Sequence, residues 1–173
     1  MPSTIAVIGA GLMGSAIATR LLQCGHTMSV FDPDTQKVKA LQAKGAAPAE
    51  SAQAAAASSA FVILSLNHAD IVRKAVFGVH GVATAATADN LLIDMSSIDP
   101  SATADMAEEL RRTTGMAWLD CPLSGGQPGA LAGKLTVMAG GTAEDFARAR
   151  VVMDDLCANF TLMGPSGAAQ TTK

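Results

Sequence analysis

Short apolar runs alternate with stretches of helical periodicity along the whole chain. Ile5-Ala6-Val7-Ile8 reads as a buried strand. Leu12 to Cys24 follows as a helix, with Ile17, Leu21 and Leu22 on one face and Gly25 as its stop. Met28-Ser29-Val30-Phe31 is a second strand. The next helix spans about Thr35 to Lys44, capped by Asp34 and ended by Gly45. The alanine-rich stretch from Ala46 to Ala60 lies between two strands and reads as a short crossover helix. Phe61-Val62-Ile63-Leu64 is a strand, followed by a helix from about Ala69 to Val76 and a glycine-rich turn, Gly78 to Gly81.

The pattern continues with a strand at Leu91-Leu92-Ile93-Asp94. Asp99 before Pro100 opens a helix that turns Met106, Ala107 and Leu110 inward and runs to about Arg112. Ala117-Trp118-Leu119 and Leu135 to Ala139 are strands, the second inside a hairpin-like unit, Gly133 to Gly141. Thr142 and Asp145 form a capping box before a helix carrying Phe146, Ala149, Met153 and Leu156. Phe160-Thr161-Leu162 is the last strand. Continuous apolar strands alternating with helices imply an α/β fold, a doubly wound, mostly parallel sheet with helices on both faces. In such sheets ligands bind at the carboxyl ends of the strands, where strand order reverses.

Composition narrows the chemistry. The chain has 173 residues, 49% of them hydrophobic and 16% charged, enough for one domain with a packed core. It contains no tyrosine, so the tyrosine–lysine acid of short-chain dehydrogenases is excluded. A net charge of −3 argues against a nucleic-acid face. Three cysteines (24, 121, 157) and three histidines (26, 68, 80) are scattered, so no metal site or disulfide framework is expected. No basic segment precedes the first apolar run, and no apolar run reaches about 18 residues. A cytoplasmic protein is expected, with neither signal peptide nor membrane span.

The strand ends carry the candidate site. After the first strand stands Gly9-Ala10-Gly11-Leu12-Met13-Gly14, a G-x-G-x-x-G in a strand-turn-helix setting. Gly9 suits the tight turn, Gly11 lets a pyrophosphate approach, and Gly14 lets helix and strand lie close. The helix N-terminus offers free N–H groups to phosphate. This is a Rossmann-type signature. Asp32 ends the second strand, placed to accept hydrogen bonds from both adenosine ribose hydroxyls and to repel a 2′-phosphate. No arginine follows it, so NAD is expected over NADP. Leu66 and Asn67 end the fourth apolar run, in reach of the cofactor's second half; His68 beside them reads as a surface residue opening a helix. Ser96 and Ser97 follow the next strand, where their hydroxyls could meet the nicotinamide ribose or a substrate. Ser124-Gly125-Gly126 places a hydroxyl beside successive backbone N–H groups, a cradle for a carboxylate; alone, the pattern reads as a flexible loop.

In order along the whole chain, these motifs resemble the β-hydroxyacid dehydrogenase family, which includes 3-hydroxyisobutyrate dehydrogenase, tartronate semialdehyde reductase and, more distantly, 6-phosphogluconate dehydrogenase. Ile8 to Gly14 resembles its cofactor signature. Asp120-Cys121-Pro122-Leu123-Ser124-Gly125-Gly126 through Leu135 to Gly141 is similar to its substrate signature. Asp94 to Pro100 matches its strand-end Ser/Thr pair, and Gly164 to Lys173 the segment that leads to its catalytic lysine. The resemblance implies that Lys173 is the acid/base, that Ser124, Gly125 and Gly126 hold the substrate carboxylate with Ser96, and that Gly9 to Gly14, Asp32, Leu66, Asn67 and Ser97 hold the dinucleotide. It implies hydride transfer between NAD and a small β-hydroxyacid of the 3-hydroxyisobutyrate or tartronate semialdehyde type.

Family members continue past this lysine into an all-helical domain that walls the other half of the active site and mediates assembly. Residues 1–173 are therefore read as the cofactor-binding domain of a longer, homo-oligomeric enzyme, inactive alone, with Lys173 a frayed terminal residue. Two other readings stand beside this one: a non-catalytic dinucleotide-binding module, and imine reduction on the same scaffold. The second is disfavoured because those relatives usually lack the lysine and the Ser-Gly-Gly cradle.

Overall fold

Strands of four or five apolar residues alternate with helices through the first two thirds of the chain. The structure, a computed structural model, describes residues 1–173 throughout. The elements are β1 (Thr4–Ile8), α1 (Leu12–Gln23), β2 (Thr27–Phe31), α2 (Thr35–Gln42), β3 (Ala47–Pro48), α3 (Ala52–Ala57), β4 (Phe61–Leu64), α4 (Ala69–Phe77), β5 (Leu91–Asp94), α5 (Pro100–Thr114), β6 (Ala117–Asp120), β7 (Leu123–Ser124), α6 (Gly126–Ala132), β8 (Leu135–Gly140), α7 (Ala143–Leu156), β9 (Cys157–Gly164) and α8 (Ala168–Thr172). All nine strands join one sheet in the order β3-β2-β1-β4-β5-β6-β8-β7, with β9 on β8.

Strands β1 to β6 are mutually parallel. The chain goes from β1 to β2 on one side and returns to β4 on the other, so strand order reverses between β1 and β4. Alternate residues of each strand face opposite layers. Ile5, Val7, Ile63 and Ile93 pack against Ile17 and Leu21 of α1 and Val152 and Met153 of α7. Ala6, Ile8, Val62 and Leu92 pack against Ala55 of α3, Val72 and Val76 of α4, and Met106 and Leu110 of α5. Each fully buried aliphatic side chain contributes about 1.5–3 kcal/mol. The five alanines of α3 let that short helix lie close to the sheet.

The last third departs from the expected alternation. β8 runs antiparallel to β6 and β7. Asp120 pairs with Gly140 and Ser124 with Thr136, and between them the Met138 N–H donates to the Pro122 carbonyl. The hairpin-like unit expected at Gly133 to Gly141 is instead the single strand β8, whose antiparallel partners β6 and β7 lie before it in the chain, and β6–β7 acts as one strand bent at Pro122. The Ser124-Gly125-Gly126 stretch is not a loop: it ends β7 and opens α6. β3, α8 and the early start of β9 also lie outside the elements read from the sequence.

His26 is buried and structural. Its Nδ1 accepts the Ser3 N–H at 3.0 Å, so its proton sits on Nε2, which donates to Asp155 Oδ2 at 2.8 Å. No three His, Cys, Asp or Glu side chains are grouped to hold a metal ion. No helix is long and apolar enough to cross a membrane.

Candidate functional site

Residues 9–14 bridge β1 and α1 at the point where strand order reverses. Gly9 has φ +98°, and a Cβ there would stand 2.2 Å from the Ser65 carbonyl oxygen. A Cβ on Gly14 would stand 1.9 Å from the Gly9 carbonyl oxygen, whereas one on Gly11 would meet nothing within 4 Å. The first and third glycines are thus required by the chain's own packing. The second opens onto free space, as the approach of a pyrophosphate demands. Helix α1 begins at Gly11 with no side-chain cap and no acidic residue in its first turn, so its N–H groups and partial positive charge stay available to an anion. By contrast, Asp34, Ser51, Asp99 and Thr142 cap α2, α3, α5 and α7 with side-chain oxygens.

Asp32 clasps the loop from the neighbouring strand. Its Oδ2 accepts the Ala10 N–H at 2.7 Å and its Oδ1 the Asp34 N–H at 2.8 Å. Each oxygen keeps a further lone pair for a ligand hydroxyl. A groove of about 510 Å³ runs beside Asp32, between Val38, Lys39 and Gln42 of α2 and Pro48, Ala49 and Glu50. Lys39 and Gln42 escaped the sequence reading because only the helical turn brings them beside Asp32, and Glu50 because only the pairing of β3 with β2 does.

A second crevice, about 230 Å³, opens at the ends of β4 and β5. It is lined by Met13, Ser65, Leu66, Asn67, Met95, Ser96, Ser97, Leu123 and Lys173. Six residues singled out from sequence therefore meet: Met13, Leu66, Asn67, Ser96, Ser97 and Lys173. The two serines divide. Ser96 is buried, and its Oγ accepts the Leu66 N–H at 3.0 Å, holding one wall in place. Ser97 is exposed, and its Oγ receives the Lys173 ammonium. The Lys173 N–H donates to the Ala169 carbonyl at 3.1 Å, and its side chain reaches across the crevice. Ser124, Gly125 and Gly126 lie exposed at the β7–α6 junction, beside Leu123 but outside this lining. His68 is the exposed residue before α4 and makes no side-chain cap.

Two buried acids lie behind the crevice. Asp94 and Asp120 end adjacent strands and pair in register, and both are fully buried. Asp94 Oδ1 accepts the Ser96 N–H at 3.0 Å, while Oδ2 has no partner. Burial, opposed by the Ser96 hydrogen bonds and aided by the Asp120 charge, pushes the Asp94 carboxyl up to about 7. Burial also raises Asp120, against the backbone N–H groups of Gly167 and Gln170 that favour its charged form. Burial pushes the Cys121 thiol, beside them, well above the ordinary thiol range, with the Asp120 charge adding to the rise.

The model of the NAD binding domain of 6-phosphogluconate dehydrogenase matches residues 4–164. The chain belongs to this family. This NAD-binding domain is 39% identical over 151 residues to 3-sulfolactaldehyde reductase of Escherichia coli (strain K12), covering 87% of this chain and 50% of that protein. It is 38% identical over 169 residues to 3-hydroxyisobutyrate dehydrogenase of Pseudomonas aeruginosa, covering 98% of this chain and 56% of that protein. Among solved structures it resembles 3-hydroxyisobutyrate dehydrogenase of Mycobacterium tuberculosis with L-serine. The TM-score is 0.93 at 33% identity, over 99% of this chain and 58% of that one. The NAD-binding domain thus spans about half the length of the curated relatives it matches. The expected β-hydroxyacid dehydrogenase resemblance and the doubly wound fold both hold.

Proposed function

We propose that this domain is the cofactor-binding half of an oxidoreductase that moves a hydride between NAD and a small β-hydroxyacid of the 3-hydroxyisobutyrate or tartronate semialdehyde type. The observation that carries the reading is the Lys173 ammonium on Ser97 Oγ, at a crevice that shares Met13 with the glycine loop. A bound nicotinamide dinucleotide supplies the hydride donor and acceptor. The chain's own residues do the rest. The α1 N-terminus, Gly9 to Gly14, binds the pyrophosphate, and Asp32 takes the adenosine ribose. Leu66, Asn67 and Ser97 flank the nicotinamide side. Ser124, Gly125 and Gly126 hold the substrate carboxylate, the two glycines through backbone N–H groups. Ser96 positions the Leu66 wall.

Lys173 then serves the substrate oxygen. As a carbonyl accepts hydride, negative charge builds on that oxygen; an ammonium stabilises it and passes it a proton. In the oxidative direction the same nitrogen takes the proton back. The reading includes an all-helical second domain that closes the far wall and mediates homo-oligomer assembly, in a cytoplasmic enzyme whose three free thiols suit a reducing compartment. Imine reduction is the weaker reading, because it leaves Lys173 and the Ser-Gly-Gly turn without a task.

The test is turnover of a β-hydroxyacid panel with NAD by the protein carrying its helical domain. Lys173→Ala is expected to lower kcat by roughly 10²–10⁴-fold. Turnover that survives this substitution, or none on any acid, overturns the reading.

Cofactor choice is tested on the domain itself. Asp32 presents a carboxylate where a 2′-phosphate would lie, so NADH is expected to bind more tightly than NADPH in a fluorescence titration. Asp32→Ser removes two ribose acceptors and the repulsion. It should weaken NADH by about tenfold and narrow the gap to NADPH. Tighter NADPH binding by the unaltered chain would sink the assignment.

A further inference from the structure

We infer that Asp120, assisted by Gln170, is the positioning residue of Lys173. The inference rests on the acid/base reading of Lys173 above, and it is carried by the way α8 is held.

Helix α8 is five residues long, and its N-cap, Gly167, has no side chain to cap it. Its N-terminal N–H groups find their acceptor 47 residues earlier in the chain. Asp120 Oδ1 accepts the Gly167 N–H at 2.8 Å, and Oδ2 accepts the Gln170 N–H at 3.3 Å. The carboxylate thus does from a neighbouring strand what an N-cap side chain does locally, and its charge suits the positive end of the helix. The protein makes room for it. Gly140 pairs with Asp120 in the antiparallel ladder, and a Cβ on Gly140 would stand 2.5 Å from Oδ1 and 2.6 Å from Oδ2.

Gln170 supplies the second tie. The residue is 9% exposed; its Nε2 donates to the Ser96 carbonyl at 2.7 Å and its Oε1 accepts the Ile98 N–H at 3.4 Å. Helix α8 is therefore fastened to β6 through Asp120 and to the end of β5 through Gln170. Lys173, three residues past Gln170, then meets Ser97, which lies between the two residues that Gln170 grips. Asp120 bonds the helix and not the ammonium. Its role is to set where the ammonium stands.

The experiment uses this chain. Lys173 acylation by acetic anhydride is followed by mass spectrometry, with Lys37, Lys39, Lys44, Lys74 and Lys134 as internal references. Amide exchange of Gly167 to Lys173 is followed in parallel, and NADH binding reports the glycine loop. Asp120→Asn keeps the volume and one acceptor but turns an N–H toward a donor. It is expected to speed Lys173 acylation and α8 exchange by roughly tenfold. The reference lysines, the exchange of β1 to β5, and NADH affinity should not change. Ser97→Ala should free the ammonium while α8 exchange stays as it was.

If Asp120 only fills space, the isosteric Asn behaves as Asp, and the inference falls. It falls equally if exchange rises across the whole sheet. Should Asp120→Asn fail to fold, Gln170→Leu, which removes only the tie to β5, takes its place with the same readouts and the same overturning results. None of these readouts depends on turnover. Failure of the acid/base reading appears instead as a Lys173→Ala enzyme that still turns over.

Discussion

Alanine at position 14 is expected to abolish dinucleotide binding and to cost the fold about 3 kcal/mol. The physical reason is a single approach. The new Cβ would stand 1.9 Å from the Gly9 carbonyl oxygen and 2.9 Å from its carbon, both backbone atoms with no rotamer to retreat into. Either α1 lifts from β1 or the loop opens. Lifting α1 separates Ile17 and Leu21 from Ile5 and Val7, all buried in one cluster. Opening the loop breaks the 2.7 Å bond from the Ala10 N–H to Asp32 and turns the α1 N–H groups away from the groove. Urea unfolding and NADH titration of Gly14→Ala measure the two losses. Gly11→Ala is the control: its Cβ meets nothing within 4 Å, so stability should hold while binding weakens. Equal unfolding midpoints for Gly14→Ala and the unaltered chain would refute the packing argument.

Asp94→Asn is expected to stabilise the protein, and to do so only away from acid pH. Asp94 is fully buried, with Oδ2 unpartnered and Asp120 in register beside it. Its carboxyl rises from 3.8 to about 7 on folding. Between those values the unfolded chain has released the proton and the folded chain still holds it. The folded state binds more protons there, so stability falls as pH rises through this window and levels off above it. Asparagine stays neutral throughout and keeps an acceptor for the Ser96 N–H. The gain should vanish near pH 4 and reach on the order of 3 kcal/mol at pH 8. Denaturant unfolding at both pH values checks this, and a gain that does not change with pH would contradict it. The raised Asp120 carboxyl acts in the same direction.

Which parts of this molecule could be read from its sequence follows from the range of the forces involved. β1, β4, β5 and α1 were legible because an apolar run or a helical stripe is a local signal. The glycine loop was legible because each glycine answers a steric demand within a few residues of itself. Helix α6 was not, since Gly126, Gly129 and Pro128 all weigh against a helix, and it is held by the β7–β8 strands around it and by packing against α1. Asp94 and Asp120 were visible as strand-end residues, but their burial was not. For Asp120 that burial comes with Gly140, Gly167 and Gln170, which lie 20 or more residues away. Ser96 and Ser97 both read as hydroxyls open to a ligand, one for the substrate and one for the dinucleotide. The structure separates them, burying one against the Leu66 N–H and exposing the other to Lys173.

The two parts of the candidate site close over very different lengths of chain. The glycine loop and Asp32 are joined across 22 residues, within a single strand-helix-strand unit. The lysine end closes through pairs 47, 50, 74 and 76 residues apart. Loop-closure entropy orders such events: nearby segments meet early, and distant ones wait for a scaffold to dock on. On a ribosome the dinucleotide end can take shape while the last strands are still unmade. The lysine end forms only when β9 has been laid against β8 and the finished strand β6 presents its carboxylate.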